Sequence, residues 1–295
     1  MKTLSMFVKR NILVYTSDRS TVLFSMMTML IIIGLNLIFL GKNNVDNLIQ
    51  LVPVGRTNAN DLINTWLIAG IIVVNTVTVS TAIMGIMVED EDKKRISSFL
   101  VAPISRFKLT LGYVLSAFIV SFLSCIFALV IFEIYISSIG GTLLSFKESI
   151  KVIGIIAINI FSSASCIFFI ISFIHTSAAF SAANTLIGTL IGFIIGMYVP
   201  MGDLPSMVQQ VLKFLPIVCG ASLMREVFMN YSITSIFNGQ PQDIINKYTD
   251  NMGVTISWGG QPVDDLYKVL ILLVSGIIFI LLSALVLKNR KIADR

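Results

Sequence analysis

Charged residues, histidine and cysteine are all scarce in this sequence, and each shortage closes a class of function. Asp, Glu, Lys and Arg make up only 13% of its 295 residues, about half the usual share of a soluble domain, too little charge for a water-exposed globule of this length. One histidine, His175, leaves almost no material for His-based metal sites or Ser-His triads. The three cysteines, Cys125, Cys166 and Cys219, are widely separated and two lie within apolar runs, so neither a disulfide framework nor a metal knuckle is legible. No Gly-x-x-x-x-Gly-Lys-Ser/Thr occurs, so this chain carries no phosphate-binding Walker loop. The apolar runs hold neither paired acids nor clustered histidines, which argues against an intramembrane protease.

Apolar residues are abundant. They reach 56% of the chain, mean hydropathy is +0.90, and they gather in runs of about 20 and more, long enough to cross a bilayer. The fold class expected is an all-α polytopic membrane protein. Six stretches are marked off, at residues 21–40, 62–88, 109–132, 152–174, 180–199 and 269–287. Residues 152–199 are apolar throughout apart from polar residues around His175. As one helix they would be roughly 70 Å long, more than twice the bilayer core, so two helices joined by a tight turn are predicted. No small-residue cleavage site follows the first stretch, which is therefore read as a retained span. The whole of 1–295 is read as a single transmembrane domain.

The net charge of +5 sits in short clusters beside the apolar runs, which fits membrane topology and not a nucleic-acid footprint. With both termini cytoplasmic, thirteen Lys and Arg fall on inside segments and four in the two short outside loops, so the termini are placed inside. Lys-, Asn- and Ile-rich usage points to a bacterial plasma membrane.

Three segments lie outside the expected spans. Residues 1–20 place Leu4, Phe7, Val8, Val14 and Tyr15 near one helical face with Lys2, Lys9 and Arg10 interspersed, the pattern of an interfacial amphipathic helix resting on membrane lipid, or else of a basic flank that simply sets topology. Residues 89–108 open with an acidic run and continue with Ile96, Phe99, Leu100 and Pro103 at i, i+3, i+4, i+7. Acids at its start favour a short helix there and Pro103 ends or kinks it. Its apolar face suits either a soluble partner or lipid headgroups. In residues 200–268 the first part is too apolar for a free loop and too broken by Pro and Gly for a full span, so short re-entrant helices are predicted. Residues 230–265 read as an exposed polar loop.

These residues resemble the membrane subunit of a type-two ABC exporter, a six-span permease whose ATPase is a separate polypeptide. Two motifs carry the likeness. One is Phe99-Leu100-Val101-Ala102-Pro103-Ile104-Ser105-Arg106, with Phe where the family has Leu and Gly112 six residues on. The other is Pro200, then Leu204-Pro205, then Leu212-Lys213-Phe214-Leu215-Pro216, and finally Leu223-Met224-Arg225. A departure is visible where the family often has Gly-Thr and then Glu before the Leu-rich stretch; here Lys94-Arg95 and Ser97 stand.

The resemblance implies an ATP-driven exporter of amphipathic or hydrophobic cargo in which two permeases, identical or related, each rest on one nucleotide-binding subunit. ATP and Mg would bind that partner, with no catalytic residue, cofactor or metal on this chain. Ile96, Phe99, Leu100 and Pro103 would couple to the ATPase, with Arg106 anchoring. Pro200, Leu204, Pro205, Leu215 and Pro216 would shape an outer gate. Asn75 and Thr78 of the second span, and Asn184, Gly188 and Gly192 of the fifth, would lie near the translocation path or the contact between permeases; plain helix packing explains the same residues. Two rival functions stand beside this one. An ion-coupled secondary transporter usually places ionisable groups near the bilayer midplane, and no Asp, Glu, Lys or Arg falls near the middle of any marked span, which weighs against proton coupling but not against sodium. A non-transporting immunity or sensor protein would act through residues 230–265.

Overall fold

The computed structural model describes residues 2–20, 22–23, 27, 41–95 and 106–289. The first expected span, 21–40, lies almost wholly outside the described residues, as do Ile96, Phe99, Leu100 and Pro103. The described chain is helical nearly throughout. In order come α1 (Lys2–Ser17), α2 (Gly41–Leu51), α3 (Arg56–Asp92), α4 (Arg106–Ser138), α5 (Phe146–Ile171) and α6 (Ser177–Ile194). A 3-10 turn at Met201–Asp203 leads to α7 (Ser206–Lys213), α8 (Pro216–Ile236), α9 (Gln242–Asn251), a small hairpin of β1 (Ser257–Trp258) and β2 (Gln261–Pro262), and α10 (Asp265–Asn289). Five of these helices are long and apolar enough to cross a membrane, six if the bent pair α7–α8 counts as one span. The protein is an all-α polytopic membrane protein.

Helix α3 is the axis of the bundle. Its 37 residues extend about 55 Å, further than a bilayer core is thick. It packs against α4, α5, α6 and α8 along its length and against α2 and α1 near its two ends. In lipid, apolar surface gives helices little reason to associate, so close approach and polar contacts must hold them together. Both are present. Asn75 donates to Ser124 Oγ of α4 at 3.1 Å, the Thr76 and Ser163 hydroxyls join α3 to α5 at 3.3 Å, and those of Ser80 and Ser121 join α3 to α4 at 3.0 Å. Ser162 and Ser275 do the same for α5 and α10 at 3.1 Å. Such bonds contribute roughly 0.6 kcal/mol apiece in membranes. Aromatic rings fill the hollows over glycines, with Phe180 against Gly85 and Phe161 against Gly276.

Local chemistry sets the breaks. Ser145 and Glu148 form a reciprocal capping box at the start of α5, and Thr176 caps α6 by accepting from Ala179 N–H. The end of α5 at Ser172 and the Thr176 cap of α6 bound the turn expected near His175. Helix α6 ends at a left-handed Gly196 (φ 66°), where Met197 N–H bonds back to Gly192 C=O at 2.8 Å and Gly196 N–H to Phe193 C=O at 3.0 Å, the Schellman arrangement. The polar stretch 230–265 is more ordered than its composition suggests. Its α9 presents Ile244, Ile245 and Tyr248 at helical spacing to the cluster around Trp66, and Met252, Val254 and Ile256 beyond it are buried.

Candidate gate and coupling end

The two ends of α3 carry different chemistry. At its C-terminal end Asp90 is fully buried. Its carboxylate accepts from both Nη1 and Nη2 of Arg10 on α1 and from the Tyr113 hydroxyl of α4 at 3.0 Å, and Arg95 stands 3.7 Å away. Asn11, also buried, donates to Ser116 of α4 at 3.2 Å. The Phe7 ring meets Tyr113 edge-on at 5.0 Å and sits over Gly112, where a Cβ would collide with it. Helix α1 is therefore bolted to α3 and α4 at the point where the chain enters residues 96–105. The hydrogen bond with Asp90, aided by its charge and offset in part by burial, raises the Arg10 pKa above its ordinary value. The 172–176 turn docks on the same end of α3, with His175 Nδ1 2.9 Å from Glu91 and the Ser177 hydroxyl donating to Asp92 at 2.6 Å. Arg106 opens α4 just beyond.

Near the other end, residues 200–216 form a chain of short pieces. Pro200 and Pro205 stand immediately before the 3-10 turn and α7, and Leu215 caps α8, whose first residue is Pro216. Prolines there need no N–H partner and fix φ for the helix that follows. Helices α7 and α8 meet at 91°. Leu204 and Leu215 pack into one cluster with Met201, Val218, Leu223 and Ile256. Gln209 stiffens the corner by donating to the carbonyls of Gly202 (3.1 Å) and Leu204 (2.8 Å). The amphipathic α7 leaves Met207, Val208, Val211 and Phe214 exposed, with Phe214 stacked 6.1 Å from Trp258.

Arg225 holds this region together. It is buried on α8 and donates to the carbonyls of Gly196 at 3.1 Å and Gly253 at 3.3 Å. Both glycines have positive φ, 66° and 64°, so each carbonyl belongs to a turn that a larger residue would strain. Trp66 of α3 lies under the guanidinium and donates from Nε1 to Met252 C=O at 2.8 Å. One cation thus pins the turn after α6 and the turn after α9 to α8. Beside it, Lys268 of α10 is buried between Glu226 and Asp265, 3.2 Å from the latter.

The remaining residues singled out from sequence do not converge on one spot. Asn75 is buried and bonded to α4, and Thr78, half-buried, returns its hydroxyl to Val74 C=O at 3.2 Å. Asn184 is exposed on α6, Gly188 has open space where a Cβ would stand, and Gly192 is covered by Tyr198. The Asp90–Arg10–Tyr113 knot and the Lys268 cluster went unread, because partners 42 and 80 residues apart leave no spacing signal. For Arg225 the signal was its place in the second motif.

A bundle of helices long and apolar enough to cross a membrane, with one pair bent at 91°, defines a polytopic membrane domain. A family model described as ABC-2 family transporter protein matches residues 43–285, and the chain belongs to that family. It is a multi-pass permease of an ABC transporter, a class of transport subunit that works with an ATPase. No curated protein matches the chain.

Proposed function

We propose that this chain is the permease of an ATP-driven exporter that moves amphipathic or hydrophobic cargo such as a drug, antibiotic, peptide or lipid across a bacterial plasma membrane. Its power comes from a separate ATPase that binds ATP and Mg, and the chain is not an enzyme by itself. The end carrying Asp90 faces the cytoplasm, in keeping with the basic residues grouped there. The ATPase docks on 89–108, where Ile96, Phe99, Leu100 and Pro103 supply the apolar contact and Arg106 anchors it. Movement there reaches α3 and α4 directly, since Asp90 and Tyr113 join both helices to α1.

The observation that carries this reading is the pairing of that knot with the corner at the opposite end of the same helix. Helix α3 holds Asp90 at one end and, through Trp66, the Arg225 latch toward the other. A rigid helix joined to both can carry displacement from an ATPase to the segment of Pro200, Leu204, Pro205, Leu215 and Pro216, which acts as the outer gate. A second permease, the same chain or a related one, faces α6 through Asn184 and Gly188.

The test is mild-detergent purification of the tagged chain from its own membranes. Recovery of a Walker-loop ATPase at near-equal stoichiometry, lost on Phe99→Glu/Leu100→Glu while the permease stays folded, is the expected result. Purification of the chain without an ATPase, under conditions that keep other transporter complexes whole, would overturn the reading.

A further inference from the structure

At the end of the bundle opposite Asp90, helices α2, α3, α4 and α8 enclose a cavity of 830 Å³, within the range of about 300–1,000 Å³ typical of small-molecule sites. Its walls combine apolar surface from Val45, Ile63 and Leu67 with uncharged polar groups of Asn60, Asn64, Thr142 and Ser235 and the rings of Tyr135 and Tyr231. Charge is distributed unevenly. Asp61 is inside, with Oδ2 accepting from the Ser232 hydroxyl at 3.2 Å and facing Thr142 Oγ1 at 3.5 Å. Its Oδ1 is buried against Gly141 and has no hydrogen-bond donor among the described residues. Hydroxyls do not neutralise a carboxylate, and a buried carboxylate oxygen without a donor is costly. Lys42 and Arg56 also line the cavity, but as exposed residues. Arg56 is held by Asp46 at 2.9 Å, whereas Lys42 has no ion-pair partner among the described residues.

We propose that this cavity binds a compact zwitterion, with its ammonium group at Asp61 and its anionic group at Lys42. The ammonium supplies the N–H donor and the charge that Asp61 lacks, and aromatic rings such as those of Tyr135 and Tyr231 in the same lining attract cations. The anion meets Lys42 at the lip, where approach from water is open. An anion alone would be repelled by Asp61, and a polycation by Lys42 and Arg56. Two sources share this chemistry: the ethanolamine-phosphate headgroup of a lipid in the adjoining leaflet, and a soluble zwitterion. The proposal goes beyond the permease reading and stands or falls without it.

The experiment uses the full chain in nanodiscs of phosphatidylglycerol, titrated with O-phosphoethanolamine in a calorimeter, with phosphocholine as the comparison. Saturable binding of O-phosphoethanolamine is expected, about tenfold weaker in Asp61→Asn and for phosphocholine, which has no N–H to donate. Lys42→Gln should weaken binding by about threefold, as for a solvent-exposed ion pair. Ser235→Trp, which fills the cavity without touching the carboxylate, should abolish it and keeps the test alive should Asp61→Asn not fold. Replacing part of the lipid with phosphatidylethanolamine identifies the source: competition with the soluble probe assigns the site to the headgroup, and its absence assigns it to a soluble zwitterion. Absence of binding in both lipids, or equal binding by the wild-type chain and by folded Asp61→Asn and Ser235→Trp, would overturn the proposal.

Discussion

The guanidinium of Arg225 lies 5.0 Å from the centroid of the Trp66 ring, and it is the shared donor of two turns that are far apart in sequence, at Gly196 and Gly253. Its planar fork is what lets one side chain reach both carbonyls while stacking on the indole. A lysine keeps the charge but presents a point cation. Arg225→Lys is therefore expected to leave one carbonyl without a donor and to lower stability by about 2 kcal/mol, read as an earlier thermal unfolding transition in detergent. Trp66→Phe, which keeps a ring but loses the bond to Met252, should cost about 1 kcal/mol. An unchanged transition in both variants would mean that the latch contributes nothing to the fold.

The Asp90 knot makes a different prediction. Asp90 is buried while the Arg10 side chain is 27% exposed, so the pair is only partly shielded from water. Breaking a fully buried pair costs about 3–5 kcal/mol, and this one should cost about 2–3 kcal/mol after discounting for that exposure. Asp90→Asn should free α1 from α3 and α4 before the rest of the bundle loosens. Limited trypsin digestion reads this directly, through faster cleavage after Lys9 and Arg10. Arg10→Met combined with Asp90→Asn removes both charges and should recover part of the loss. If α1 stays as resistant in Asp90→Asn as in the parent chain, the ion pair does not hold it.

The spans were legible because their chemistry is local. Apolar runs mark the five spans among the described residues, the polar break near His175 separates α5 from α6, and the prolines at 200, 205 and 216 stand where the 3-10 turn, α7 and α8 begin, whereas α6 ends at Gly196, short of the expected 199. The order of those prolines with Leu223-Met224-Arg225, together with Phe99–Arg106 and the six-span layout, suggested the family. What the carbonyls of Gly196 and Gly253 do was not legible, since any residue supplies a carbonyl and only the fold brings these two to Arg225. Helix α9 was hidden by composition: its few apolar residues lie at helical spacing in a stretch that is polar on average. Asp61 was hidden too, because its cavity exists only where four helices meet.

Helix packing supplies a third prediction. Gly220 of α8 lies under Asn159 of α5, whose amide is 3.4 Å from the Gly220 carbonyl, and a Cβ at position 220 would collide with Asn159 Oδ1. Gly220→Ala should cost about 1–3 kcal/mol through overpacking. In the background of Asn159→Ala the same change has room, so the double variant should be more stable than the sum of the two losses predicts. Strict additivity in thermal unfolding would show that the contact is not tight.

The last prediction concerns the face of α6 assigned to a second permease. Ser181, Asn184, Thr185, Gly188 and Thr189 recur at three- and four-residue intervals along it, all exposed or half-exposed. The hydroxyls of Ser181, Thr185 and Thr189 bond back to carbonyls four residues earlier, at 3.0, 3.0 and 2.8 Å. The face is thus built of small side chains whose hydroxyls are internally bonded, as close helix approach in lipid favours, with the Asn184 amide exposed beside them. In a Cys166→Ser background, with Cys125 and Cys219 buried, Gly188→Cys should form a disulfide-linked pair on mild oxidation of intact membranes. Leu186→Cys, about 200° around the helix from it, should not. Gly188→Trp should weaken pairing by holding the two helices apart. Crosslinking at 186 in place of 188, or a chain that stays uncrosslinked at both, would move the permease contact off this face.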